Sequence, residues 1–366
     1  MRTVLDMKPT SDNLRNGEGV FFRSVNGEIL YAYSRFRGNK KEDDTFCDIA
    51  MIRSKDEGES WSDYQIIASA EEFGVENMMC ASALPTLDGR LCVYFLVKEN
   101  DGSTTIGRTI SSDGVTFKAE RCECNIPKNY YVIENDRFIR LSDGRIATVA
   151  SSYNPSAFVG SVIGIVSDND GAEFHCVNTN GTCSLPYSSF GSGLEEPIII
   201  ELAPNLIWLL CRTNHGYQFQ AFSTNGMWSF TPPEPSVFTS PGSPIVLKRL
   251  SDNSILAAYN PIPNYNGRSQ LADDMAMKTI YSGRTPLVLR RSKDNGVTWG
   301  DLYPIEVGAK KDFCYPCLFE TKDGGLLCAY MCYEEKEEEI EELPDTTILD
   351  HYNISMRIKK LDFIPD

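Results

Sequence analysis

The chain has 366 residues, of which 42% are hydrophobic, enough for a packed core. Lys plus Arg number 35 and Asp plus Glu 51, a formal net charge of −16 that argues against nucleic acid and anionic lipid as partners, because both are polyanions. At roughly 100–200 residues per domain the length reads as two domains or one large β architecture, and no apolar run approaches the ~20 residues of a membrane span.

The opening MRTVLDMKPTSDNLRNG has no apolar h-region, so a cytoplasmic protein with reduced thiols is expected. The first strand signal follows at Asn26-Gly27, a turn dipeptide set between the apolar runs GVFF and EILYAYSRF. Such dipeptides favour two-residue hairpins, whose central positions need positive φ. The signal recurs along the chain. Asp88-Gly89 precedes RLCVYFLV, Asp143-Gly144 precedes RIATVASS and Asn205 precedes LIWLLCR. Asp252-Asn253 precedes SILAAYN, and Asp323-Gly324 precedes GLLCAYMC.

A second motif is interleaved. Ser54-Lys-Asp-Glu-Gly-Glu-Ser-Trp61 and Ser292-Lys-Asp-Asn-Gly-Val-Thr-Trp299 share the form S-x-D-x-G-x-[ST]-W. Weaker copies start at Ser111, Ser167 and Ser223. In this motif the Asp can accept backbone N–H bonds, the Gly supplies unusual φ, and the closing aromatic packs between sheets. Six hairpin units of about 60 residues suit four strands and their loops. The expected fold is all-β: a six-bladed β-propeller with four antiparallel strands per blade, residues 1–366 forming a single domain. The acidic run from Glu334 to Glu342 reads as a solvated insertion in the last unit.

The 12 cysteines mostly sit inside apolar runs, as Cys92, Cys211 and Cys328 do, where a thiol behaves as a small hydrophobe. Cys314-Tyr-Pro-Cys317 and Cys122-Glu-Cys124 lack a second pair, and the three histidines (His175, His215, His351) are isolated, so no metal is expected.

The S-x-D-x-G-x-[ST]-W motifs resemble the Asp-box (BNR) repeats of the sialidase superfamily over nearly the whole chain, and the order of charged residues between them fits. Sialidases hold the sugar carboxylate with three arginines, whose planar forks donate paired hydrogen bonds and stay charged. The resemblance places these at Arg15, Arg212 and Arg284. Arg15 lies 12 residues before Gly27, with Arg23 a competitor. Arg212 ends the strand after Glu196-Pro197. Arg284-Thr-Pro-Leu matches the family spacing to Trp299. Arg15-Asn-Gly-Glu stands where the family often has Arg-Ile-Pro, which implies a divergent branch.

Sialidases use a Tyr nucleophile. A carboxylate nucleophile would meet the substrate's own carboxylate, whereas neutral Tyr avoids that repulsion. With an ordinary pKa near ~10, Tyr needs an adjacent base. The resemblance gives Tyr315 this role and Glu196 that of its base, with Glu195 its rival. The general acid falls in the loop from Lys40 to Ser54: Asp43 has the better spacing, Asp44 is next, and Asp48 begins the strand. Glu18 is placed to orient Arg15, and Asn77, Asp136 and Arg137 are further substrate-binding candidates.

The implied activity is hydrolysis of a terminal acidic sugar, sialic acid first, with retention and without a cofactor. The expected partner is a small acidic sugar or sialylated glycan. Another carboxylated sugar, uronic or modified or anhydro sialic acid, is the alternative substrate. A non-catalytic glycan-binding propeller is the alternative class.

Overall fold

The computed structural model describes the chain apart from residues 39, 154–159, 179–192, 264–282, 309–310 and 338–347. Among the described residues helix is limited to one α-turn, Ala70–Phe73, and one 3₁₀ turn, Ile348–His351. No described helix is long and apolar enough to cross a membrane. The rest is strand and turn.

The strands form because short apolar runs lie between turn residues. Ile29–Phe36 and Leu91–Lys98 are buried nearly from end to end, as strands are when sheets pack against both faces. The architecture is all-β with a β-propeller arrangement, and four blades stand as separate sheets. Glu195–Ala203, Leu206–Arg212, Tyr217–Ser223 and Glu234–Thr239 make one antiparallel sheet. Val246–Arg249, Ile255–Tyr259, Leu287–Ser292 and Tyr303–Glu306 make the next. A six-stranded sheet is built on Ile146–Tyr153 and Gly160–Ser167, and Glu123–Asn125 joins its edge in parallel with Glu173–Cys176. The fourth contains Lys311–Glu320, Leu326–Glu335, Tyr352–Leu361 and Arg2–Met7, so strands from opposite ends of the chain share it.

The remaining eight strands, from Arg15–Arg23 to Lys118–Arg121, are one sheet rather than two. The count of separate sheets is therefore five, not six. The reason is local: its two four-stranded halves are stitched by one parallel bridge, Cys47 to Asn77. Core packing runs from sheet to sheet. Leu327, Ala329, Met356 and Ile358 of the last sheet share a cluster with Phe21, Tyr31 and Val93 of the eight-stranded one.

Five of the six turns differ from the expected two-residue hairpins; at the sixth Ala203 pairs with Leu206, so Pro204-Asn205 is a two-residue loop. Only one residue in each has positive φ: Gly27, Gly89, Gly144, Asn205, Asn253 and Gly324. In five of them an N–H to C=O bond closes a four-residue turn on that residue, as Gly27 N does on Ser24 O at 3.0 Å. This is the longer hairpin loop, in which a turn is followed by a single left-handed residue. The acidic run begins as strand, since Glu334 and Glu335 pair with Asn353 and Tyr352; residues 338–342 lie outside the described residues.

Four of the five Asp-box turns share one geometry, while in the shorter Ser111 copy Asp113 Oδ1 accepts from Val115 N and Thr116 N. Asp56 Oδ1 accepts from Ser60 N at 2.9 Å, and Asp294 Oδ1 from Thr298 N at 2.8 Å. Asn169 and Asn225 accept from Glu173 N and Ser229 N in the same way. The opening serine accepts from the turn, as Ser54 Oγ does from Gly58 N at 2.8 Å. Trp61, Phe117, Phe174 and Trp299 pack against core clusters, but Trp228 is exposed.

Candidate functional site

The innermost strands of the sheets are not regular. Pairing slips at Gly17/Val20, Met79/Ser82, Glu195/Ile198 and Cys314/Cys317. Each slip holds one non-glycine residue with positive φ: Glu18 (52°), Cys80 (63°), Glu196 (42°) and Tyr315 (52°). Asp136 (56°) holds the like position before Ile139–Arg140. A left-handed non-glycine residue costs of order 1–3 kcal/mol and a bulge re-aims its side chain. Repetition of such strain in four or five units points to function.

Tyr315 and Glu196 come together across 119 residues of chain. The Tyr315 hydroxyl donates to Glu196 Oε1 at 3.0 Å, and Arg212 Nη1 donates to the same oxygen at 2.8 Å. Arg212 Nε lies 3.3 Å from Glu195 Oε2, so the two adjacent glutamates divide the guanidinium between them. Burial pushes the Tyr315 phenol well above its ordinary range and the Glu196 charge adds to this, while Arg284 and Arg212 act against it. Tyr315 is therefore a neutral phenol whose proton already points at a carboxylate.

Arg284 is among the largest fully buried side chains, 1% exposed. Its Nε and Nη2 donate to Gly242 O at 3.2 and 2.9 Å, and its guanidinium lies 5.6 Å from the Tyr315 ring centre. A Cβ on Gly242 would lie 3.8 Å from Arg212 Nε and Nη2, so this backbone separates the two arginines. Arg284 is felt at Arg212 as a like charge.

Arg15 lies over the Phe36 ring at 4.3 Å and is ion-paired with both Glu18 and Asp43. Burial opposes its charge, but Glu18 and Asp43 outweigh that and raise its pKa further. Burial raises the Glu18 carboxyl, with Arg15 pulling the other way. Asp43 is exposed, at the tip of a loop closed by Arg37 N on Phe46 O at 2.7 Å. Arg23 is elsewhere: its guanidinium grips Glu57 at 2.7 and 2.9 Å, in the first Asp box.

The other candidates divide. Asp136 Oδ2 accepts from Lys248 Nζ at 2.9 Å and lies 3.9 Å from Cys317 Sγ. Arg137 donates to the Asn135 and Ile245 carbonyls, both at 3.0 Å, and so pins two sheets from inside. Asn77 donates to Thr45 O at 2.7 Å, which steadies the Asp43 loop at its base. Among the described residues no group of three His, Cys, Asp or Glu side chains is placed to hold a metal.

Tyr333, Cys80 and Tyr130, absent from the sequence reading, belong here, together with Glu134, which the sequence offered only as part of the polar run Glu134-Asn-Asp-Arg before the third hairpin. Tyr333 is buried and its charge would act on both Arg15 and Arg284, which links the arginines across the site. Cys80, Glu134 and Tyr130 form a further group. Tyr333 and Cys80 lie in apolar strand sequence and carry no local signal.

Residues 29–328 match the BNR repeat-like domain family. The chain belongs to that family. No curated protein matches this BNR repeat-like protein. Its fold is shared with solved structures at low identity. A protein of unknown function from Dyadobacter fermentans is 16% identical at TM-score 0.67, with 98% of each chain covered. The NanB sialidase of Streptococcus pneumoniae is 11% identical at TM-score 0.68, over 99% of this chain and 71% of that one. The intramolecular trans-sialidase of Ruminococcus gnavus is 12% identical at TM-score 0.64, over 98% and 96%. The chain is thus a BNR repeat-like protein in family, with a fold it shares with sialidases.

Proposed function

We propose that this protein is a retaining exo-glycosidase of the sialidase type, acting on a terminal acidic sugar, sialic acid first. One observation carries the reading: Tyr315 donates its proton to Glu196 at 3.0 Å while Arg212 holds the same carboxylate. A glycan-binding protein needs only arginines for the carboxylate and has no use for that pair.

Arg15, Arg212 and Arg284 bind the sugar carboxylate. It competes with Asp43 for Arg15, and displacement frees Asp43 to face the leaving oxygen. Asp43 then protonates the leaving oxygen. Tyr315 Oη attacks the anomeric carbon, its proton passes to Glu196, and a glycosyl-tyrosine forms. Water, deprotonated by Asp43, opens that bond with overall retention, and Glu196 returns the proton to Tyr315. Two nearby full positive charges stabilise the developing phenolate and so offset the burial that raises Tyr315 in the resting site.

The same proposal takes residues 1–366 as one domain, a ring of six units in which the two halves of the eight-stranded sheet count separately, working in the cytoplasm on a free acidic sugar or a sialylated glycan. The Arg15-Asn-Gly-Glu departure makes it a divergent branch, and a modified, anhydro or uronic acid sugar is the second reading that this segment favours.

The test is turnover of a fluorogenic α-sialoside by the protein and by Tyr315→Phe and Asp43→Ala. Activity lost in both variants supports the reading. Turnover unchanged in Tyr315→Phe sinks it, and activity on uronides alone moves the sugar.

A further inference from the structure

Glu134 is 5% exposed and stands among carboxylates. Glu196, Glu18 and Asp43 all press on it with like charge, and Arg137 is the cation that opposes them. Arg137 spends Nη1 and Nη2 on the Asn135 and Ile245 carbonyls, and among the described residues no ion pair joins it to Glu134. The hydrogen-bond neighbour of Glu134 is Cys80, whose thiol donates to Oε2 at 3.7 Å. Burial keeps that thiol protonated, since it raises its pKa well above the ordinary value. Cys80 occupies in its strand the bulge position that Glu18, Glu196 and Tyr315 occupy in theirs. Tyr130 reaches the same group from the preceding loop, where Asp43, Cys80, Glu134 and Glu18 act on its phenol. Close by, Glu196 Oε2 is buried without a hydrogen-bond partner among the described residues.

A charge on Glu134 would join those of Glu18, Asp43 and Glu196, which Arg15 and Arg212 already pair, and would leave Arg137 as the cation acting on it. The neutral acid avoids this, and burial accordingly raises the carboxyl well above the usual range. A neutral carboxylic acid can donate, which a carboxylate cannot. With Oε2 accepting from Cys80, Oε1 is the oxygen to carry the proton.

Resting on the glycosidase reading, we infer that Glu134 is a second recognition point of the site: an uncharged carboxyl, held by Cys80, that donates a hydrogen bond to an uncharged oxygen of the sugar. The surrounding carboxylates repel an anionic group there and admit a hydroxyl or an amide carbonyl. The arginines then read the sugar's charge, and Glu134 reads a neutral acceptor elsewhere on the same ring. The sign of the pH dependence follows: the donor is present at low and neutral pH and is lost as pH rises through the raised pKa.

Two measurements on the full chain test this. Infrared difference spectra of wild type minus Glu134→Gln should show a protonated-carboxyl band at neutral pH that disappears in alkali. Calorimetric titration with an unsaturated sialic acid analogue should show wild-type affinity falling roughly three- to tenfold across the same pH range, the worth of one neutral hydrogen bond. Glu134→Gln, which keeps a donor, should bind at neutral pH and lose that pH step. Absence of the band, or the same pH step in both proteins, overturns the inference. A band with no binding of the analogue to wild type overturns the glycosidase reading and, with it, the recognition role, while the neutral carboxyl stands.

Discussion

The Asp-box turns and the inner-strand bulges both set acidic side chains beside left-handed backbone, yet they treat the charge in opposite ways. In the boxes the carboxylate faces solvent and backbone donors. Backbone N–H groups of Thr116 and Val115 bring Asp113 down to about 2, and the Thr298 hydroxyl and N–H do the same for Asp294. Along the bulges burial dominates, and Glu18 and the neighbouring Glu134 are pushed up. Carboxyl groups are thus exposed acceptors held ionised in the boxes and buried acids with raised pKa beside the bulges. Strain does not separate the two regions: the boxes hold Glu57, Asp170 and Asn295 at positive φ directly before Gly58, Gly171 and Gly296, and the bulges hold Cys80, Glu196 and Tyr315.

The comparison breaks first at Tyr315. Tyr315→Phe keeps the ring beside Arg284 but removes the hydroxyl, so turnover of an α-sialoside should fall by at least about a thousandfold with unchanged circular dichroism. Arg284→Leu comes next. Loss of a charged donor to the sugar carboxylate should weaken binding of the unsaturated analogue roughly 10–100-fold, read by calorimetry. At the rim the effects should be on stability alone. Ser54→Ala removes the acceptor for Gly58 N and should cost about 1 kcal/mol in urea unfolding, with kcat unchanged. A matching loss of kcat would erase the distinction between the two regions.

The smallest effect is in acid. Asp113 is held below its ordinary 3.8, so its contribution to stability is complete above that value and is lost as pH falls toward about 2. Asp113→Asn should therefore flatten part of the acid limb of a Tm-against-pH curve by lowering its neutral end slightly, and leave the acid end and activity alone.

Local chemistry made much of this legible in the sequence. The positions of the six hairpins and the Asp-box geometry depend on residues within a few places of one another, so Asp143-Gly144 and Ser292-to-Trp299 announce themselves. The BNR repeat-like family was legible as well, because its motifs are local and repeated. Turn type was not: Asn26-Gly27 suits either a two-residue loop or the longer one, and sheet twist and register chose the latter. Five hydrogen-bonded sheets replaced six because the bridge from Cys47 to Asn77 is a contact between neighbours in space. The site itself was half readable. Arg15, Arg212, Arg284, Glu196 and Tyr315 could be named from spacing and family order. That Arg15 is shared by Glu18 and Asp43, that Arg23 belongs to Glu57, and that Cys80, Glu134 and Tyr333 sit among the catalytic candidates were decided by tertiary structure. Bulges in separate strands bring together side chains up to about 300 residues apart, and burial then sets their protonation; neither register slips nor desolvation leave a mark in the order of the amino acids.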